Sequence, residues 1–365
     1  MKVAVVGGGS TYTPELVSGL ARERERLPIQ ELVLQDIDPE RREIVGGLAG
    51  RMLERSGFEG KLAVTADLDR AVDSADFVLI QIRVGGQEAR LSDETVPLAC
   101  GCIGQETTGA GGFAKAMRTV PVVLEIAERV RELAADGAWI IDFTNPVGIV
   151  TRALLDEHGD ALAAQNELSK QLVDELGVLP SYYLHYFYEH DAVLAQQVEG
   201  KPRAETVMEI ERGLLELYRD PTLDEKPALL EQRGGAFYSE AATGLAASLA
   251  SGSGETHVID LRNNGTLGGL ADDDVVEVPA QVERSGPVPL QQRPLAPELL
   301  GLTQHVAAYE RLTAEAAVTR DLETARKALL SHPLIGQWSL GAELLERLVD
   351  TGHLPSLART PERTA

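Results

Sequence analysis

The chain has 365 residues, 44% of them hydrophobic, which is enough for two domains. No apolar run approaches the ~18 residues of a membrane-spanning helix, and a formal net charge of −23 disfavours nucleic acid and anionic lipid as partners. The two cysteines, Cys100 and Cys102, make no disulfide framework, and a strand begins at once with no signal peptide, so a cytoplasmic location is expected.

Lys2–Val6 reads as a short, fully apolar strand. Gly7-Gly8-Gly9-Ser10 follows, and Thr11-Tyr12-Thr13-Pro14 opens a helix over 14–24. A strand, a glycine turn and a helix N-terminus together favour a pyrophosphate. Gly7 and Gly9 fill the first two positions of G-x-G-x-x-G, while Tyr12 takes the third. Gly7, Gly9, Ser10 and Thr11 are therefore the expected dinucleotide cradle. The second strand, Glu31–Gln35, ends at Asp36 and Asp38. Asp36 is placed to hold ribose hydroxyls and Asp38 to cap the next helix, although the whole acidic run also suits capping alone. Strands at 62–65, 76–81 and 138–142 alternate with helices at 67–74, 113–135 and 147–155. The continuous apolar run at 76–81 suits a strand buried on both faces. This rhythm predicts a doubly wound parallel sheet with ligands beyond the carboxyl ends of its strands. Gly7, Asp36, Arg83 and Asn145 would then surround one crevice.

Beyond residue 158 the alternation stops. Helices are expected at 168–176, 180–188, 206–218, 229–250, 298–317, 319–330 and 341–350, with a strand at 257–262 and extended segments at 274–279 and 280–283. The tail at 360–365 reads as frayed. This gives a nucleotide-binding domain at 1–158 and a mainly helical α+β domain at 159–365.

Four segments hold polar groups that local structure does not require. Arg83-Val-Gly-Gly-Gln-Glu-Ala-Arg90 has two arginines at a strand's carboxyl end, suited to an anion or simply to a solvated loop. Gly104-Gln-Glu-Thr-Thr-Gly-Ala-Gly-Gly112 places Glu106 in a glycine-rich loop, either mobile or closely approached, or else a plain connector. Cys100-Gly-Cys102 before it is a weak metal pattern and reads as packing. Asn145 ends the fifth strand, where it would meet nicotinamide and substrate or cap the following helix. Tyr238 heads a helix after Arg233-Gly-Gly235, and Arg262-Asn-Asn-Gly265 forms a turn. No Ser-His-Asp order, Walker loop or His-Glu-x-x-His helix occurs.

Seven stretches, taken in order, resemble glycoside hydrolase family 4, and within it the 6-phospho-β-glucosidase branch. They are Val3-Ala-Val-Val-Gly-Gly-Gly-Ser-Thr-Tyr-Thr-Pro14, Ile82-Arg-Val-Gly-Gly86 through Arg90, Ile103-Gly-Gln-Glu-Thr-Thr-Gly109, Asp142-Phe-Thr-Asn-Pro146, Arg233-Gly-Gly235 with Tyr238-Ser239, Arg262-Asn-Asn-Gly265 and Leu330-Ser-His-Pro333. The resemblance implies a Rossmann-like fold of the lactate/malate dehydrogenase kind, bound NAD, a manganese-type metal and a phosphorylated sugar substrate. The implied reaction oxidises C3 of the sugar, removes the C2 proton, eliminates the C1 leaving group, adds water and returns the hydride. It makes Tyr238 the base, with Glu106 raising its basicity. Arg90, Asn145, Arg262 and Asn263 or Asn264 would hold the sugar, and Asp36, Arg83 and Asn145 would serve the cofactor. A dimer or tetramer is also implied.

One departure stands out. The family pattern continues past Asn145 with a strand ending in Cys-Asn or Cys-Asp, and later an Asn-His segment, whose Cys and His bind the metal. Here 153–156 runs within a few residues into 166–169, and both cysteines precede Asn145. His158, His185 and His190 are poor substitutes, so no metal ligand is assigned. Losing such a strand should leave a sheet edge bare unless another copy covers it. Two alternatives follow: an NAD-binding pseudoenzyme without its metal site, or a lactate/malate-type dehydrogenase, which needs a catalytic histidine not evident here.

Overall fold

The computed structural model describes residues 1–158, 182–233 and 238–358. Five short strands without polar alternation set its centre: β1 (Lys2–Val6), β2 (Glu31–Gln35), β3 (Lys61–Thr65), β4 (Phe77–Ile80) and β5 (Trp139–Asp142). All pair in parallel, in the order β3-β2-β1-β4-β5. Val6 lies opposite both Gln35 and Ile80, and Ile80 opposite Asp142. The carboxyl ends are thus in step, and the turns that follow them open on one edge. The fold is the expected doubly wound α/β arrangement.

Side chains alternate between two cores. Val3 and Val5 enter one, packed with α1 (Thr13–Arg22) and α2 (Pro39–Arg55). Ala4 and Val6 enter the other, under α5 (Gly109–Leu133) and α6 (Val147–His158). Two further helices, α3 (Leu68–Val72) and α4 (Gly86–Ala99), complete this half. Asp38 accepts from the amides of Glu40 and Arg41 and so caps α2 as expected.

The second half contributes α7 (His185–Tyr188), α8 (His190–Glu199), α9 (Arg203–Tyr218), α10 (Tyr238–Ser251), α11 (Pro297–Thr319), α12 (Leu322–Ser331) and α13 (Trp338–Asp350). An antiparallel sheet of β6 (Glu255–Arg262), β7 (Val275–Glu283) and β8 (Gly286–Pro289) lies among them. These elements fill both cores. Tyr309, Leu329 and Leu344 join the α5 side, and Leu214, Leu245, Ile259 and Val278 the α1 side. Among the described residues β5 pairs only with β4. Its Trp139 packs into the α1-side core and against the turn at Gly286.

Several elements differ from the sequence expectation. The stretch 83–90 is not all loop: Gly85, at φ +83°, starts α4. Helix α5 begins four residues early, inside the glycine-rich loop. The helix expected at 229–250 is a 3-10 turn at Ala228–Arg233 followed by α10. Segments 274–279 and 280–283 form one strand through Pro279. In an antiparallel pair a residue's N and O point to the same side. The Pro279 carbonyl accepts from Leu290 on the β8 side, past the end of the β8 pairing, so the missing N–H breaks no ladder bond. The expected helix at 168–176 and the tail at 360–365 lie outside the described residues.

Candidate active site

The crevice is built where β1, β2, β4 and β5 end. Gly7 has φ +86°, and a Cβ there would stand 2.6 Å from the Gln81 carbonyl oxygen, so only glycine fits. The Gly7 and Gly8 amides donate to the Gln35 carbonyl, and the Gly9 amide to the Asp36 carboxylate at 2.9 Å. The second Asp36 oxygen accepts from Asp38 N–H at 3.0 Å, leaving each oxygen one further acceptor position for ribose hydroxyls. No side chain caps α1, and its first turn is closed locally: the Thr13 amide donates to the Ser10 carbonyl and the Glu15 amide to the Tyr12 carbonyl, each at 3.0 Å, while Pro14 has no N–H, so what the helix offers an anion is the positive end of its dipole. Ser10 Oγ accepts from the Tyr12 amide at 3.2 Å.

Thr11 departs from its expected role. It is buried, its hydroxyl donates to Glu211 at 3.2 Å and accepts from Arg233 Nε at 2.8 Å, and its carbonyl accepts from the Tyr218 hydroxyl at 2.7 Å. Its side chain ties the turn to the second half, and what it offers a cofactor is backbone. Glu211 also pairs with Arg41 at 3.1 Å and Arg233 at 3.2 Å. Burial pushes its carboxyl up, but Arg233 and Arg41 outweigh this and hold it below the usual range.

Glu106 is the centre of a charged cluster on the same edge of the sheet. It is 9% exposed and meets three cations: Arg83, with one contact at 3.3 Å and a second shorter one, Arg90 at 3.3 Å and Lys115 at 2.9 Å. Burial alone would raise its pKa, but Lys115, Arg83 and Arg90 hold it well below the ordinary value. Burial brings the Lys115 ammonium down to about 8, against the pull of Glu106. Arg90 also bonds Glu94 at 2.8 Å, whose other oxygen accepts from the Ala204 amide at the start of α9. Beneath them Arg118 clamps Asp93 through two bonds of 3.0 and 2.6 Å. Arg83, expected on the cofactor, therefore joins the Glu106 cluster, because a partly buried guanidinium is steadied by a carboxylate and Glu106 supplies it.

The loop bearing Glu106 is closely approached. A Cβ on Gly104 would meet the Glu94 carbonyl at 2.0 Å, and one on Gly111 the Asp93 and Gln105 carbonyls at 2.3 Å. Asn145 is partly exposed in the turn between β5 and α6, beside Thr144, whose Oγ1 accepts the Ile82 amide at 3.2 Å. Tyr238 is the first residue of α10; segment 234–237 before it lies outside the described residues. Arg262 ends β6, partly buried. Asn263 contradicts its expected contact with substrate. It is fully buried, its amide nitrogen donates to the carbonyls of Leu267, Leu270 and Ala271, and its oxygen accepts from the Leu267 amide. All its polar capacity shapes the turn, and Asn264 is the exposed neighbour.

Neither cysteine approaches this crevice. Cys102 is buried in the α5-side core and Cys100 packs against it, with Glu343 close by. Among the described residues no three His, Cys, Asp or Glu side chains gather so as to hold a metal ion.

The family 4 glycosyl hydrolase model matches residues 2–162, and the model of that family's C-terminal domain matches 125–335. A probable 6-phospho-beta-glucosidase of Bacillus subtilis (strain 168) is 35% identical, covering 97% of each chain. The chain belongs to family 4 of the glycosyl hydrolases. That alignment runs over 432 positions, more than the 365 residues here, so the family 4 relative carries residues without a counterpart in this chain. The sequence reading expects the shortfall near 156–166, most of which lies outside the described residues. A solved 6-phospho-beta glucosidase of Thermotoga maritima, with manganese, NAD+ and glucose-6-phosphate, superposes with TM-score 0.91 at 31% identity, covering 98% of this chain and 100% of its own. Malate dehydrogenase of Plasmodium falciparum shares the fold at TM-score 0.55 and 15% identity.

Among the charged residues that build the crevice, sequence reading missed Lys115, Glu211, Asp93 and Arg118. Lys115 and Arg118 did carry a signal, as charges interrupting the apolar stretch from Gly109 to Val123.

Proposed function

We propose that this chain hydrolyses 6-phospho-β-glucosides with NAD as a recycled cofactor. The observation that carries the reading is that the glycine turn and the Glu106 cluster open on the same edge of one sheet. NAD, when bound there, supplies a hydride acceptor for C3 of the sugar and later returns the hydride. Gly7–Ser10, the N-terminal dipole of α1 and Asp36 would hold it. The cluster sets Arg83, Arg90 and Lys115 against Glu106 and Glu94, leaving one excess positive charge. Arg83, with 26% of its side chain exposed, brings that charge to the crevice, where it attracts a phosphorylated sugar. Arg90, Asn145 and Arg262 orient the ring, while Asn263 shapes the turn that carries Arg262. Tyr238 takes the C2 proton. A tyrosine near pKa 10 needs its anion stabilised, and the N-terminus of α10 supplies partial positive charge for that purpose. Glu106, a fixed buried anion, favours transfer of the proton to the phenolate.

The described residues do not fit a metal centre, and no step is written through one. Together with the shortfall against the relatives, this favours a second reading, an NAD-binding chain without turnover. The same family reading expects a dimer or tetramer.

The test uses a chromogenic 6-phospho-β-glucoside with NAD, manganese and reductant. Turnover without net NADH is expected, whereas a dehydrogenase would accumulate NADH. Tyr238→Phe should lower kcat by roughly 10³-fold or more while leaving NAD affinity nearly unchanged. NAD binding without any turnover by the parent chain supports the second reading. Full activity of Tyr238→Phe removes Tyr238 as the base.

A further inference from the structure

The Leu330-Ser-His-Pro333 stretch has no part in the reaction just drawn, yet its histidine stands against the site. His332 is 2% exposed. Gly109 N–H faces Nε2 at 3.1 Å, the Thr108 hydroxyl lies 3.0 Å from the same nitrogen, and Leu334 N–H faces Nδ1 at 3.1 Å. Tyr309 sets its ring edge-on to the imidazole, with centroids 4.4 Å apart, and its hydroxyl donates to the Gly109 carbonyl at 3.1 Å. Both backbone groups of Gly109 are therefore held by side chains more than 190 residues away, from α11 and the turn after α12.

Gly109 opens α5 with φ +61°. Glu106 precedes it by one short turn, and Lys115 follows on the same helix. The outer part of the loop is tied separately: Gly104 exchanges two hydrogen bonds with the Gln197 side chain, and Gln105 donates to the Tyr186 hydroxyl at 2.9 Å. The joint between loop and helix is left to His332 and Tyr309. A neutral imidazole accepts at one nitrogen only, so one facing amide already meets a ring N–H. A protonated ring would turn N–H groups towards both amides. Burial acts in the same direction and pushes the ring down to about pKa 3.

We propose that His332 is a positioning residue: by holding the Thr108–Gly109 turn it sets Glu106 against Arg83, Arg90 and Lys115. Only the kinetic part of its test rests on the functional reading above.

Two substitutions separate this role from a local one. His332→Gln keeps an amide near the Nε2 position, within reach of Thr108 and Gly109. His332→Asn keeps one near the Nδ1 position, facing Leu334 alone. If the histidine only shapes its own turn, Asn is the better replacement; if it positions the Glu106 loop, Gln is. In His332→Asn, amide hydrogen exchange across 104–112 should rise by roughly tenfold or more. In the same variant kcat should fall about 100-fold with KM less affected, and NAD affinity should stay within about twofold of the parent, because the glycine turn is untouched. His332→Gln should restore both exchange and kcat to within about fivefold. Equal behaviour of the two variants, or unchanged exchange at 104–112 in His332→Asn, overturns the proposal. A parent chain without turnover defeats the functional reading, while the exchange comparison still decides the role of His332. If circular dichroism shows both variants unfolded, Tyr309→Phe replaces them, since it removes the bond to the Gly109 carbonyl and keeps the ring against His332. Faster exchange at 104–112 is then expected, and no change overturns the proposal.

Discussion

Glu106 and Lys115 show how a single buried contact sets the chemistry of its surroundings. The carboxylate stays ionised because three cations face it; Arg83 and Lys115 tolerate burial because of that carboxylate, and Arg90 because of it and Glu94. Lys115→Met deletes the most buried partner and leaves Glu106 with two. The loss of one charge-assisted bond should cost about 2–3 kcal/mol in denaturant unfolding. It should also remove any alkaline limb near pH 8 from the rate profile, since the Lys115 ammonium loses its proton at about that pH. A limb that persists in the variant assigns it elsewhere. At this scale the sequence was half legible. Glu106 could be singled out because a lone acid sat among glycines. Glu211 could not, because α9 also carries Glu205, Glu209 and Glu216, and only packing shows which one turns inward. Asn263 and Asn264 were likewise inseparable, since the turn's geometry alone decides which side chain is buried.

The early start of α5 is the element-scale feature on which the site depends. Glycines at 109, 111 and 112 let the first turn of the helix lie against the loop that precedes it. Gly111→Ala would push a methyl into two backbone carbonyls at 2.3 Å, which no rotamer change relieves. A loss of about 1–3 kcal/mol is expected in urea unfolding, with turnover falling further than stability because Glu106 is displaced. Gly50→Ala in α2 is the control. Its Cβ would meet only Leu62 at an ordinary 3.7 Å, so a gain of about 0.5–1 kcal/mol is expected from helix propensity. Equal effects of the two substitutions would contradict the packing argument. The strands of the parallel sheet were readable because each is a bounded apolar run. Helix α4 was not, because Gly85-Gly86 at its start and Pro97 near its end both read as breakers.

At the scale of the whole molecule, stability should depend on pH through Asp142. Its carboxyl is fully buried, Oδ1 accepts the Thr144 amide at 3.0 Å, and Oδ2 has no hydrogen-bond partner among the described residues. Burial brings its pKa up to about 7, and the nearby Asp260 adds to the shift. The unfolded chain releases this proton near pH 3.9. Between about pH 4 and 7 the unfolded state thus holds fewer protons than the folded one, and stability falls as pH rises. Asp142→Asn removes that titration. Its gain in urea unfolding should grow from pH 5 to pH 8, reaching roughly 2–4 kcal/mol. A pH-independent difference would place the proton elsewhere.

The sharing of both cores by the second half has a consequence for how the molecule comes into being. Helices of the first half cover both faces of the parallel sheet, but neither core is complete until residues from α9 to α13 arrive. The strands of the parallel sheet are made first, but the cores on either side of them are closed by helices translated far later. The glycine turn, which looks like a self-contained module, is in this sense finished late: Thr11 finds its partners only when Glu211, Tyr218 and Arg233 have emerged. A finished seat for the cofactor therefore needs the chain at least as far as Arg233, and a nascent fragment that ends at α6 lacks it.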